Sequence, residues 1–279
     1  MLAPCGVAAP TVTGPVVKPP LPDSTRVGGG DGSIGSLQGH TDGHHPVLEG
    51  PNSWNKAQRA FPDRVQLVTV PRHPNSTKSN VLRVEWREGD PTVINGKRAE
   101  LNGMVTNSGG SQTEEPNTTV YYACGLYLPD NFIWPKERAT FWQMHGPGGA
   151  RPPIRMAVHE TKRLQLRVEP PSGGGSAATY YDNTKGALPK GGWIQFVWRV
   201  VWKSADGGAT VWRRDPGDPS FIKVIDFGGK GTVYDHTSHK QGIYTSDDQV
   251  TTIQYFLTNV VRGTGFKAVA EECFGITVA

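Results

Sequence analysis

From about residue 60 onward, apolar and polar residues alternate with a period of two, the spacing that sends successive side chains to opposite faces of a strand. Leu82, Val84 and Trp86 share one face of such a segment, with Arg83, Glu85 and Arg87 on the other. Leu164, Leu166 and Val168 stand against Arg163, Gln165, Arg167 and Glu169. Ile194, Phe196, Trp198, Val200 and Trp202 stand against Gln195, Arg199 and Lys203, and Ile253, Tyr255 and Leu257 against Gln254, Phe256 and Thr258. Further strands are predicted at 65–70, 121–128, 139–145, 209–213, 221–227 and 240–245. Turn signals separate them: Glu88-Gly-Asp-Pro91, Asn95-Gly96, Gly146-Pro-Gly-Gly149, Gly173-Gly-Gly175, Gly191-Gly192 and Asp206-Gly-Gly208. Helical spacing is confined to about two turns, best placed at Lys267–Phe274. Many antiparallel strands without a long helix predict an all-β fold: two antiparallel sheets packed face to face as a sandwich or jelly roll.

The first fifty residues break this pattern. They hold 7 Pro and 10 Gly and little apolar periodicity. Pro15-Val-Val-Lys-Pro-Pro-Leu-Pro22 reads as extended polyproline-type backbone, and Gly28-Gly-Gly-Asp-Gly-Ser-Ile-Gly35 as loop. We therefore expect an extended Pro/Gly-rich arm over 1–50 and one β-sandwich domain over 51–279. Across the whole chain Gly 35 and Pro 23 favour strands and turns over helices, while 8 Trp supply enough large apolar surface for a core. The net charge of +4 is mildly basic and suits an anionic partner without demanding nucleic acid. No stretch of apolar residues is long enough for a membrane helix. Cys5, Cys124 and Cys273 are too few and too scattered for a disulfide framework or a thiolate zinc site. Met1-Leu-Ala-Pro-Cys5 lacks the basic and apolar regions of a secretion signal.

Several strings carry little chemistry once their setting is weighed. Gly30-x-Gly32-x-x-Gly35 neither follows a strand nor opens a helix, so it reads as linker rather than a dinucleotide fingerprint. His40-Thr-Asp-Gly-His44-His45 offers metal-ligand types in a glycine-rich loop, and a plain loop is the better reading. The outward positions of several strands are basic: Arg83, Arg98, Arg163, Arg167, Arg199 and Lys203. A solvated face explains most of them; a sheet surface that holds a polyanion is the functional alternative.

Four segments stand out together: Lys97-Arg98-Ala99-Glu100-Leu101, Phe141-Trp142-Gln143-Met144-His145, the Trp-rich run Gly191–Lys203, and Lys240-Gln-Gly-Ile-Tyr244. Alternation puts Gln143 and His145 on one strand face. With Leu126-Tyr-Leu-Pro129 between the first two, this ordered set resembles the heparin lyase I / glucuronan lyase-like polysaccharide lyases over roughly residues 80–262. Their pattern runs Arg-x-Glu, an aliphatic strand ending in Pro, Gln-x-His, Trp-x-x-Phe-Val, then Lys-x-Gly-x-Tyr. The resemblance implies a jelly roll whose concave face binds an acidic polysaccharide and cleaves it by β-elimination. Such chemistry needs a group that neutralises the uronate carboxylate and a base that removes the proton beside it. The resemblance assigns the carboxylate to Arg98, aided by Gln143, with Glu100 orienting Arg98. His145, ordinarily titrating near 6.5, is a candidate base. Tyr244 is a candidate proton donor to the leaving oxygen, or both base and acid if a nearby cation such as Lys240 ionises it. Arg83, Arg167 and Arg199 are further candidates for substrate binding.

No cofactor is required by this reading. A structural calcium ion is allowed by the resemblance, but no dense acidic loop marks a site and Asp247-Asp248 is no more than suggestive. Two function classes compete: a lyase acting on a uronic-acid polymer, and a jelly-roll module that grips glycan without cutting it. The arm and the unheralded start would suit a virion or phage-tail component, with residues 1–50 contacting neighbouring chains. No nucleic-acid or membrane partner is expected.

Overall fold

The computed structural model describes residues 24–26 and 54–278, apart from 79, 94–95, 105–112, 147–150, 172–174, 234–236, 246–247 and 250. The expected arm, the His40–His45 string and Asp247 therefore lie outside the described residues, except for the short strand β1 (Ser24–Arg26). In chain order the other strands are β2 (Trp54–Arg59), β3 (Val65–Val68), β4 (Val81–Trp86), β5 (Lys97–Met104), β6 (Thr113–Glu114), β7 (Thr118–Tyr127) and β8 (Arg138–His145). They continue with β9 (Ile154–His159), β10 (Leu164–Val168), β11 (Ala178–Tyr181), β12 (Trp193–Trp202), β13 (Gly207–Arg214) and β14 (Ile222–Lys230). The last are β15 (Thr237–Thr245), β16 (Ile253–Leu257) and β17 (Val261–Gly263), followed by helix α1 (Phe266–Phe274).

These strands form two antiparallel sheets. The nine-stranded sheet runs β14-β13-β12-β7-β16-β4-β3, with β17 on β7 and β1 on β17. The eight-stranded sheet runs β11-β10-β9-β8-β15-β5-β2, with β6 on β15. The fold is the expected β-sandwich. The apolar half of each alternation points between the sheets: Leu82, Val84 and Trp86 from β4, Leu164 and Leu166 from β10, and Ile194, Phe196, Trp198, Val200 and Trp202 from β12. At the centre Trp142 meets Trp198 edge-on at 4.9 Å, and Tyr122 stacks on Trp198 at 5.5 Å. Trp193 and Trp212, by contrast, are only partly buried; Trp212 lies on the far side of its sheet, edge-on to Phe266.

Helix α1 uses its apolar stripe to cover part of the outer face of the nine-stranded sheet. Val269, Ala270, Cys273 and Phe274 bury against Ala123, Val197 and Val261. The outer face of the eight-stranded sheet has no such helix among the described residues; part of it, over β8 to β10, borders a cleft.

Candidate active site

Strand register arranges the polar half of the eight-stranded sheet into rows. One row runs Asn102, Lys240, Gln143, Arg155, Arg167, Thr179 from β5 to β11. A second runs Arg98, Tyr244, Thr140, Ala157, Gln165, Tyr181. Between them Glu100 lies opposite Gln58 and Gly242. His145 lies beyond the first row, opposite Ser238. Neighbouring strands are ~4.8 Å apart, so side chains adjacent in a row stand side by side.

A bulge keeps these residues on one face. Phe141 is an extra residue between Thr140 and Trp142 in the pairing of β8 with β9, and both Phe141 and Trp142 point into the core. Without it, Gln143 and His145 would face away from Thr140. On the β15 side the irregularity falls at Gly242, whose φ is +147°. A Cβ there would sit 2.3 Å from the Ala99 carbonyl oxygen, so glycine alone fits. The Tyr255 hydroxyl, from β16 of the other sheet, donates to the Gly242 carbonyl at 2.7 Å.

Glu100 is the buried centre of the group, 1% exposed. Its Oε1 accepts from Gln143 Nε2 at 2.5 Å, and its Oε2 lies 3.5 Å from Arg98 Nη1. Gln58 Oε1 accepts from both Arg98 Nη1 and Lys240 Nζ at 3.2 Å. Burial raises the Glu100 pKa above the usual carboxylate range, with Lys240, Arg98 and Gln143 opposing. The Arg98 guanidinium lies over the Tyr244 ring, 4.4 Å from its centre. Gly96 makes that stacking possible, because a Cβ would come within 2.5 Å of Tyr244 Cε2 and 2.9 Å of Arg98 Nη2.

His145 is half-buried, and its Nδ1–H donates to the Gly146 carbonyl at 2.7 Å. In the neutral ring this leaves the lone pair on Nε2. Burial lowers the His145 pKa, and the charges of Lys240 and Arg98 lower it further, outweighing the Gly146 carbonyl. Gln143 Oε1, Arg98 Nε, Asn102 Oδ1 and Thr140 Oγ1 are buried and have no hydrogen-bond partner among the described residues.

On the other side of Tyr244 a cleft of about 360 Å³ opens over β8, β9 and β10. Arg138, Arg155, Arg167, Glu169 and the largely exposed Arg151 line it, together with Tyr244 itself. Arg138 and Arg155 were not among the sequence candidates. Arg155 does alternate with Ile154 and Met156, but the strand follows Pro152-Pro153 and reads as the end of a stiff loop.

Arg98, Glu100, Gln143, His145, Lys240 and Tyr244 thus share one face, with Arg167 on the same face at β10. Arg83 and Arg199 do not join them. Both lie on the outer face of the nine-stranded sheet, where Arg83 donates to the Asp63 carbonyl at 2.9 Å and Arg199 to Thr210 Oγ1 at 3.0 Å. The expectation that they line the same surface is corrected: alternation marks a residue as outward without saying which sheet it leaves. A second correction concerns the cation nearest Tyr244. Arg98 stacks on its ring, while Lys240 stands four residues away along β15, beside Gln143. As for calcium, Asp248 is exposed and paired with Lys136 at 3.2 Å, and no three acidic, His or Cys side chains converge among the described residues.

A family model described as polysaccharide lyase matches residues 49–258. Among solved structures, the endo-β-1,4-glucuronan lyase of the fungus Trichoderma reesei aligns with a TM-score of 0.59 at 16% identity, covering 79% of this chain and 95% of that one. The catalytic domain of a glycoside hydrolase family 131 protein from Coprinopsis cinerea aligns at 0.52 and 10% identity, covering 77% and 83%. The alginate lyase vAL-1 from a Chlorella virus aligns at 0.47 and 15% identity, covering 76% and 93%. A search of curated protein sequences finds no match.

Proposed function

This chain belongs to the polysaccharide lyase family, and from that premise we propose that it cuts a uronic-acid-containing polysaccharide by β-elimination on the outer face of the eight-stranded sheet. The observation that carries this reading is that one sheet face holds three chemistries: an imidazole whose Nδ1–H is engaged by Gly146, a phenol under Arg98, and cations beside a buried carboxylate, with His145 opposite Ser238 and Tyr244 six residues further along β15. A uronate holds a weakly acidic C5–H next to its carboxylate. Arg98 and the second N–H of Gln143 Nε2 engage that carboxylate and stabilise the charge that builds on it. His145 Nε2 takes the C5 proton. The electron pair left at C5 forms the C4=C5 double bond as the C4–O4 bond breaks, and Tyr244 gives its hydroxyl proton to the departing O4. Glu100 acts at one remove: it holds Gln143 and Arg98 in position and balances Arg98 and Lys240.

The test is ultraviolet absorbance of the unsaturated product on polyglucuronate, alginate and heparin-like chains, for wild type, His145→Ala and Tyr244→Phe. The expected result is a rising signal on at least one polymer, reduced about 10²–10⁴-fold in each variant, the range for loss of a general acid or base. New reducing ends without absorbance would mean hydrolysis and would overturn the reading. A flat trace on every chain would favour a glycan-binding module. A virion or tail setting rests on the composition of residues 1–50 alone; deleting them should leave cleavage intact and abolish attachment to a particle.

A further inference from the structure

We propose that the arginine-lined cleft beside Tyr244 is a second carboxylate site, so that this lyase favours chains charged on both sides of the bond it cuts: homopolymeric polyuronates over alternating uronate–hexosamine chains. The inference rests on the β-elimination reading and names the substrate class of the same site. Cations flank Tyr244 on two sides. On one, Arg98 covers its ring. On the other, Arg155 stands next to Gln143 in the adjacent strand, with Arg167 beyond it. A chain lying across the strands and broken over Tyr244 would meet both groups.

Charge in this cleft is not balanced from within. Arg138, Arg151, Arg155 and Arg167 face only Glu137 and Glu169, which leaves 4 − 2 = +2. Glu137 pairs with Arg138. Glu169 is shared by three guanidiniums: Arg167 at 2.5 Å, Arg155 at 3.3 Å and Arg151 at 3.7 Å. One carboxylate cannot use all their donors. The Nε groups of Arg138 and Arg155 are buried with no partner among the described residues, and Gln165 Oε1 is a buried acceptor in the same state. Burial lowers the Arg155 pKa to about 10, with the Arg138 charge adding to the effect, although Glu169 opposes it. An arriving anion would relieve that repulsion. The fork geometry of arginine suits a carboxylate held by two parallel bonds, and the volume falls in the range of small-molecule sites.

The experiment has a catalytic arm and a binding arm. kcat/KM is measured on β-1,4-glucuronan and on unsulfated and sulfated alternating glucuronate–N-acetylhexosamine chains of matched length. Wild type should prefer the homopolymer by about tenfold or more, the scale of one lost charge-assisted hydrogen bond. Arg155→Gln should shrink that ratio, and the exposed Arg151→Gln, which leaves the interior untouched, should shrink it less. An unchanged ratio in both variants overturns the proposal. So does a sulfated alternating chain that matches the homopolymer, since the site would then read sulfate. In the binding arm, saturated oligoglucuronate is titrated calorimetrically into His145→Ala with and without Arg155→Gln. The double variant should bind about tenfold more weakly, and equal binding overturns the site. If no chain is cleaved yet this binding difference holds, β-elimination fails and the anion site stands.

Discussion

The chemistry of His145 is set by its neighbours more than by its own ring. Burial, Lys240 and Arg98 all push its pKa down, so the imidazole stays neutral to lower pH than the ordinary value near 6.5. A base with a lowered pKa moves the acid limb of kcat/KM to lower pH, so that limb should lie below 6.5. Lys240→Met removes one depressing charge, and the His145 ring proton followed by NMR should then titrate at higher pH than in wild type. A titration that does not move would separate Lys240 from the base. At this scale much was legible in the sequence. Gln143 and His145 share a face because they are two apart, and Arg98 and Glu100 share one for the same reason. What could not be read is that Gly96 lets Arg98 settle on Tyr244, because that contact joins residues about 150 positions apart across β5 and β15.

At the scale of the element, the bulge at Phe141 and Gly242 aims the site. Period-two alternation assumes an unbroken strand, and over β8 it fails, since Phe141 and Trp142 are consecutive and both buried. The sequence reading of Gln143 and His145 survives because both lie on the same side of the irregularity. Strand β9 is not legible in the sequence because Ala157 weakens its apolar–polar contrast and two prolines precede it. Helix α1 spans Phe266–Phe274, within one residue of the expected Lys267–Phe274, because its apolar spacing is local information. Gly242→Ala tests the bulge. It would force a Cβ against the Ala99 carbonyl at a φ that side chains rarely adopt. The expected cost is about 1–3 kcal/mol, which lowers Tm by several degrees at roughly 2–4 °C per kcal/mol. Activity should fall further than stability, because Lys240 and Tyr244 flank the glycine. Thermal melts and kcat/KM on the same preparation separate the two effects, and an unaltered kcat/KM would mean that the bulge does not position the site.

At the scale of the whole molecule, function requires two sheets held in register, and a buried ion cluster joins them. Glu114 of β6 in the eight-stranded sheet accepts from Arg262 of β17 in the nine-stranded sheet through two bonds of 2.8 Å, and from His239 of β15 at 2.9 Å. No local pattern announces this, since strands that alternate alike can belong to either sheet. Burial penalises the Glu114 carboxylate, but Arg262 and His239 outweigh it and hold the pKa at about 2. A depressed carboxylate pKa contributes stability that is present above the ordinary value and lost as pH falls towards the folded one. Glu114 should therefore cost the fold roughly 3 kcal/mol as pH falls from about 4.5 to about 2. His239, whose pKa burial lowers, acts in the same direction but earlier, because the unfolded chain takes up its proton first as pH drops through 6.5. Glu100 acts oppositely, since its raised pKa favours the folded state on acidification. Glu114→Gln leaves Arg262 and His239 without their carboxylate. The expected loss is about 3–5 kcal/mol near neutral pH, with a flatter stability curve below pH 4.5 than wild type. Urea unfolding across that range measures both. A variant as stable as wild type, or one with the same acid slope, would show that the sheets are held by their apolar core alone.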